Sequence, residues 1–184
     1  MIDIKQTFIL DCVVMYPEIK RRDRGVFTEM FKRCAFPEFA PFQINYEEAI
    51  MGTISGIHQT PYAKLISCLA GKVYIVCVDL RPDSETYNQY FGTTIDSETL
   101  NSIYIPPNCG HGFFALEDCK LYHQQDSVYD PEHDVGYCWC DPTFNIIWPV
   151  ATPSVISQRD KKSCEDILKS ALTSKQSSTN QSES

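Results

Sequence analysis

Residues 65–81 read LISCLAGKVYIVCVDLR, two apolar, β-branched runs divided by Ala70-Gly71, and this pattern decides the fold class. Runs of that length and composition are strands, and a pair of small residues between them is a turn. Working outward, the run is preceded by GIHQTPYAK at 56–64 and followed, beyond the strand-like SIYI at 102–105, by IPPNCGHGF at 105–113. Each flank carries a histidine, His58 and His111, and the intervening strands should return both to one cavity. Lys64 closes the short loop that His58 opens, so the stretch points at an anionic, carbonyl-bearing ligand.

The same periodicity recurs along the chain. Strands are expected at Thr7–Met15, Gly25–Phe31, Phe42–Tyr46, Lys64–Leu69, Lys72–Leu80, Asn88–Thr94, Ser102–Ile105, Gly112–Leu116, Lys120–Gln124, Gly136–Trp139 and Ile146–Trp148. Turn chemistry at Arg81-Pro82-Asp83, Pro106-Pro107-Asn108, Asp130-Pro131 and Asp141-Pro142 separates them. Many strands and few helices predict an all-β barrel or jelly roll. Two helices are expected, a short one near Glu29–Cys34 and another over Lys162–Leu172, where Cys164, Ile167, Leu168, Ala171 and Leu172 share a face. One domain should therefore run through residue 160, followed by a C-terminal helix over 161–173. The polar stretch over 174–184 reads as a disordered tail.

Composition bounds the function. The chain has 184 residues, 43% apolar and 12% aromatic, enough for one substantial core. A net charge of −8 and a pI near 4.9 exclude nucleic acid and anionic membrane as main partners, since either needs a broad basic face. No leader-like segment and no long uncharged apolar run is present, which predicts a cytoplasmic protein. Nine cysteines lie mostly inside apolar strand patterns, with no CxxC pair, so free thiols are expected rather than disulfides or zinc ligands. CWC at 138–140 should alternate along a strand with both sulfurs on one face. No metal is expected there.

Several short motifs, in order from about residue 8 to 160, carry a resemblance: DRGVFTE at 23–29, QIN at 43–45, GIHQ at 56–59, AKL at 63–65, GKVYIVCVDLRPDSETY at 71–87, IPPNCGHGF at 105–113, Tyr122, YDP at 129–131, WCDP at 139–142, IIWP at 146–149 and ISQRD at 156–160. Together they resemble the dTDP-4-dehydrorhamnose 3,5-epimerase family. The resemblance implies a double-stranded β-helix, or cupin, acting as a homodimer with a shared N-terminal strand. It also implies a nucleotide-sugar substrate, no need for a metal or cofactor, and inversion at C3, C5 or both of a 4-keto-6-deoxy sugar.

Epimerisation beside a ketone needs a base on one face, a proton donor on the other, and a cation for the enolate. By resemblance, His58 is the base, Asp160 the carboxylate that fixes its tautomer, Tyr122 the donor and Lys64 the cation. Arg24, Glu29, Gln43 and Asn45 match nucleotide contacts, Tyr129 matches the residue that stacks on the base, and His111, Asp134 and Arg159 match substrate-site positions. His123 and His133 are expected on the surface. The chain departs from the family at Ser55, where an arginine is usual, and in a shortened loop between His58 and Lys64. Losing a charge-assisted contact there costs about 1.5–3 kcal/mol of binding unless another group replaces it. Two other readings fit the motifs less well: a non-catalytic sugar-nucleotide sensor or complex subunit, and a metal-dependent cupin. The second would need a paired HxH where GIHQT has one histidine.

Overall fold

The structure, a computed structural model, describes residues 1–150 and 152–165. Its strands are β1 (Ile2–Gln6), β2 (Val13–Pro17), β3 (Lys20–Arg22), β4 (Gly25–Phe27), β5 (Gln43–Ala49), β6 (Thr53–Gln59), β7 (Lys64–Ala70), β8 (Lys72–Asp79), β9 (Tyr90–Asp96), β10 (Ser102–Ile105), β11 (Cys109–Ala115), β12 (Cys119–Gln125), β13 (Val135–Tyr137) and β14 (Val155–Ile156). One sheet has the order β1-β2-β10-β7-β12-β5 and the other β13-β6-β11-β8-β9, with β14 added in parallel to β6. β3 and β4 form a separate hairpin. The architecture is the all-β jelly roll that the sequence predicts.

Alternation along the strands builds three apolar layers. Ile66 and Cys68 of β7, Ile75 and Cys77 of β8, Phe113 of β11 and Leu121 of β12 meet in the central core. The opposite faces are also covered. Ile54, Ile57, Val76 and Val78 pack under Phe144 and Trp148, while Val13, Met15, Leu65 and Tyr104 pack under Phe39. Sheets buried on both faces explain why β7 and β8 read as near-continuous apolar runs rather than clean alternation. Among the described residues, no helix is long and apolar enough to cross a membrane.

Several boundaries differ from expectation. Thr7–Met15 is not one strand: β1 and β2 form an antiparallel hairpin, turned by a bend in which Asp11 takes a positive φ of 66°. This gives the N-terminal segment a partner within its own chain. Ile146–Trp148 is not a strand, and Glu29–Cys34 forms no helix. β6, which carries His58, is missing from the periodicity reading because Gly56 and the small polar residues Thr53 and Ser55 dilute its β-branched signal. The C-terminal helix, α1 over 158–165, begins before Lys162, and the rest of the expected helix and the tail lie outside the described residues.

The cysteine expectation also needs correction. Cys138 and Cys164 form a disulfide between the chain just after β13 and α1, and Cys140 Sγ lies 3.3 Å from Cys138 Sγ. CWC sits in a turn, not on a strand. The partners are 26 residues apart and meet only because α1 docks beside β13, so local spacing carries no trace of the pairing. The remaining described cysteines are free thiols.

Candidate active site

A cavity of about 270 Å³ lies between the two sheets. Asn45 and Glu47 of β5, Lys64 of β7, and His123 and Gln125 of β12 line it from one sheet; Ser55 and His58 of β6, with His111 and Phe113 of β11, line it from the other. Tyr129, Asp134 and Arg159 complete the lining. A larger depression of about 640 Å³ beside Phe8 and Arg81 is less suited to chemistry, because its arginine is already bonded to Asp79.

His58 reaches the cavity through a break in register. His111 pairs with His58 and Phe113 with Ser55, so Gly56 and Ile57 together oppose Gly112 alone. This is a β-bulge, which re-aims a side chain beside a site. It lets Ser55 and His58 both face inward while Ile54 and Ile57 both face the outer layer. A Cβ on Gly112 would lie 2.8 Å from the Ser55 carbonyl oxygen, and one on Gly56 only 2.6 Å from Asp160 Oδ1. The missing side chain at Gly56 is what lets Asp160 stand behind the histidine.

Both ring nitrogens of His58 face carboxylates. Nε2 is 3.4 Å from Asp160 Oδ1, and Nδ1 is 3.4 Å from Asp134 Oδ1. Asp160 is buried and anchored: Ser157 caps α1 by accepting from the Asp160 amide at 3.0 Å, and its hydroxyl donates to Asp160 Oδ2 at 2.8 Å. Such reciprocal capping fixes the first turn of a helix. Asp134 is held by Arg159, whose NH1 donates to Oδ2 and NH2 to the backbone oxygen, each at 2.9 Å. Burial lowers the basicity of His58, but hydrogen bonding to Asp134 and Asp160 outweighs it, and the ring's pKa lies above its usual 6.5. Desolvation opposes ionisation of both carboxylates, yet His58 and their other partners hold both below the ordinary carboxylate range.

Lys64 is buried with its Nζ 3.4 Å from His111 Nε2. Burial pulls its pKa down to about 8. Burial, and then the Lys64 charge, hold His111 well below 6.5, so this imidazole is neutral and accepts from the ammonium. The cavity thus contains a poised base and a cation short of hydrogen-bond acceptors, next to a histidine whose own Nδ1 has no partner.

Of the residues singled out from the sequence, His58, Lys64, Asn45, His111, Tyr129, Asp134 and Arg159 come together around the cavity, with Asp160 directly behind His58. Gln43 touches it indirectly, donating to Asn45 Oδ1 at 2.8 Å and accepting from the Tyr129 amide at 2.8 Å. Arg24 does not reach it: it sits exposed at the turn between β3 and β4. Glu29 is ion-paired with Lys32 at 2.6 Å instead.

Two expectations are corrected here. Tyr122 does not face the cavity, because Leu121 lies in the central core and His123 and Gln125 line the pocket, which puts Tyr122 on the other face of β12. His123 is not a surface residue; it is largely buried, with Nε2 3.1 Å from Glu47 Oε2. His133 is exposed and paired with Asp130, as expected. Glu47, His123 and Gln125 were legible from alternation alone, since Asn45 with Glu47 and Leu121 with His123 and Gln125 each share a strand face.

The family model described as dTDP-4-dehydrorhamnose 3,5-epimerase matches residues 6–165. The chain belongs to that family. It is 31% identical over 166 residues to the dTDP-4-dehydrorhamnose 3,5-epimerase of Methanothermobacter thermautotrophicus, covering 85% of this chain and 90% of that protein. To a dTDP-4-dehydrorhamnose 3-epimerase of Streptomyces niveus it is 34% identical over 155 residues, covering 79% and 74%. The crystal structure of the Legionella pneumophila dTDP-6-deoxy-D-glucose-3,5-epimerase in complex with dTDP-4-keto-L-rhamnose superposes with a TM-score of 0.84 at 28% identity, covering 88% and 91%. The fold is accordingly the cupin of these epimerases. The family's similar members are isomerases, and none of these three is described as a non-catalytic sensor or subunit.

Proposed function

We propose that this protein epimerises a carbon next to the ketone of a nucleotide-linked 4-keto-6-deoxy sugar, with His58 as the base. One observation carries the reading: His58 has one nitrogen turned to the buried, capped Asp160 and the other toward a cavity that also holds Lys64. Asp160 fixes the proton on Nε2, which leaves the Nδ1 lone pair for the substrate. A sugar carbon brought against Nδ1 from the cavity would lose its proton to the ring. The electron pair moves onto the ketone oxygen, where the Lys64 ammonium stabilises it.

The remaining groups supply binding. Asn45 and Gln125, joined by a hydrogen bond of 3.3 Å, offer amides to the sugar hydroxyls. Tyr129, half-exposed at the cavity, is placed to stack on the nucleotide base, with Arg159 and Asp134 beside it. Arg24 and Glu29 would serve the nucleotide only in an assembly, and a homodimer is the assembly we infer. β5 ends its sheet with Phe42, Ile44 and Tyr46 exposed on the edge, an apolar strip of the kind that a second copy covers. Sedimentation should give twice the chain mass, and Ile44→Lys should return it to the monomer. We place the protein in the cytoplasm, on its five buried free thiols at Cys12, Cys68, Cys77, Cys109 and Cys119 against the single Cys138–Cys164 disulfide.

The test is solvent exchange. With dTDP-4-keto-6-deoxyglucose in D2O, NMR should show deuterium entering at C3, C5 or both as the epimer forms, and His58→Ala should abolish entry while the nucleotide still binds. Binding without any exchange by the unaltered protein would overturn the reading.

A further inference from the structure

Inversion needs a proton delivered to the face opposite His58, and Tyr122 is turned away from the cavity. Of the other lining residues, Tyr129 lies beyond β12 in the loop before the short 3-10 turn Pro131–His133, its amide held by Gln43 Oε1, rather than on the sheet facing His58. Lys64 is engaged with His111 at the enolate position. One proton-carrying side chain remains on the opposite sheet. His123 projects from β12 into the cavity, whereas His58 projects from β6. Facing sheets pack about 10 Å apart, a spacing that admits one pyranose ring between two imidazoles.

Resting on the epimerase reading above, we propose that His123 is a catalytic residue, the acid that reprotonates the enolate from the face opposite His58, with Glu47 as its positioning residue. Glu47 Oε2, 3.1 Å from His123 Nε2, balances the charge of a protonated ring. No aligned hydrogen bond reaches that nitrogen. In the step, the enolate C=C pair forms the new C–H bond as the His123 N–H breaks, and the ketone re-forms as Lys64 releases the oxygen. His123 is left neutral and regains its proton from water, and the proton taken by His58 returns to water. The pair comes from register: His123 lies opposite Asn45 across the β12–β5 ladder, with Glu47 next on the same face of β5.

The experiment compares His123→Phe, His123→Gln and Glu47→Gln with Tyr122→Phe and Tyr129→Phe, using dTDP-4-keto-6-deoxyglucose in D2O and following deuterium and configuration separately. A base without an opposing acid can remove a proton and return a deuteron to the same face. Both His123 variants should therefore still exchange deuterium with retained configuration, while epimer formation falls at least a hundredfold. Glu47→Gln should lose epimer formation by a smaller factor, and Tyr122→Phe should change nothing. Epimer formation by both His123 variants at the unaltered rate, or its loss in Tyr122→Phe or Tyr129→Phe alone with exchange intact, would overturn the assignment and leave the epimerase reading standing. If the unaltered protein neither exchanges nor inverts, the epimerase reading itself fails, and the assignment fails with it. The fold of each variant is checked by its urea midpoint, and two different replacements at position 123 separate loss of the acid from loss of packing.

Discussion

Two buried carboxylates in this molecule meet opposite fates. Asp79, at the end of β8, accepts from Arg81 Nε at 2.9 Å and NH2 at 2.7 Å, and from the Ser84 and Thr86 hydroxyls at 2.6 Å each. Asp160 has one short side-chain bond, to Ser157, and a looser approach of 3.4 Å to His58. Both are depressed in pKa against the cost of burial. The first is saturated and reads as structure, a clamp on the loop after β8. The second keeps an unspent interaction with a titratable ring whose other side opens on a cavity, as catalytic groups do.

That contrast can be broken in order of size. Asp160→Asn should lower epimerisation on the order of 10²–10⁴-fold, the range for general acid–base groups, with its urea midpoint nearly unchanged because an amide oxygen still accepts from the cap. Asp79→Ala should do the reverse: about 3–5 kcal/mol less stable by urea unfolding, as when one partner of a buried ion pair is removed, with the rate per folded molecule intact. The Asp79 contribution is present above the unfolded carboxylate pKa and lost as pH falls through its depressed folded value. An intact acid-stability profile in Asp79→Ala would erase the distinction. Gly56→Ala should cost about a hundredfold in rate by pushing Asp160 off the ring, and a crystal structure of the variant should show the displacement.

The smallest effect is in pH. His58 works deprotonated and Lys64 protonated, so kcat/KM should rise through a limb above 6.5 and fall through one near 8. Asp134→Asn removes a carboxylate that favours the imidazolium, so the rising limb should move to lower pH. A limb that stays in place would separate Asp134 from the base.

The sheets were legible because both faces of β7, β8 and β11 are apolar, and a short run of β-branched residues between turns has few other solutions. His58, Lys64, His111 and Asp160 were legible through family motifs rather than periodicity. What was misread is a strand face. The family motif pointed to Tyr122, whereas the alternation of β12, in unbroken register with β5 from Cys119 to Gln125, puts His123 in the cavity with Leu121 and Gln125 on its face. The Cys138–Cys164 link was hidden for a different reason, since it depends on where α1 docks.

The bulge opposite Gly112 has an evolutionary consequence. In a regular strand, residues three apart face opposite sides; here Ser55 and His58 share one. Loss of a single residue from the Gly56–Ile57 pair would restore regular pairing with serine and histidine still on one face, but it would remove either the glycine that admits Asp160 or an isoleucine of the outer apolar layer. Substitutions such as the serine at position 55 are therefore open to this family in a way that insertions and deletions within β6 are not. Length variation is diverted into the adjoining loop before Lys64, and descendants of this chain should change substrate by exchanging residues on β6 while its length stays fixed.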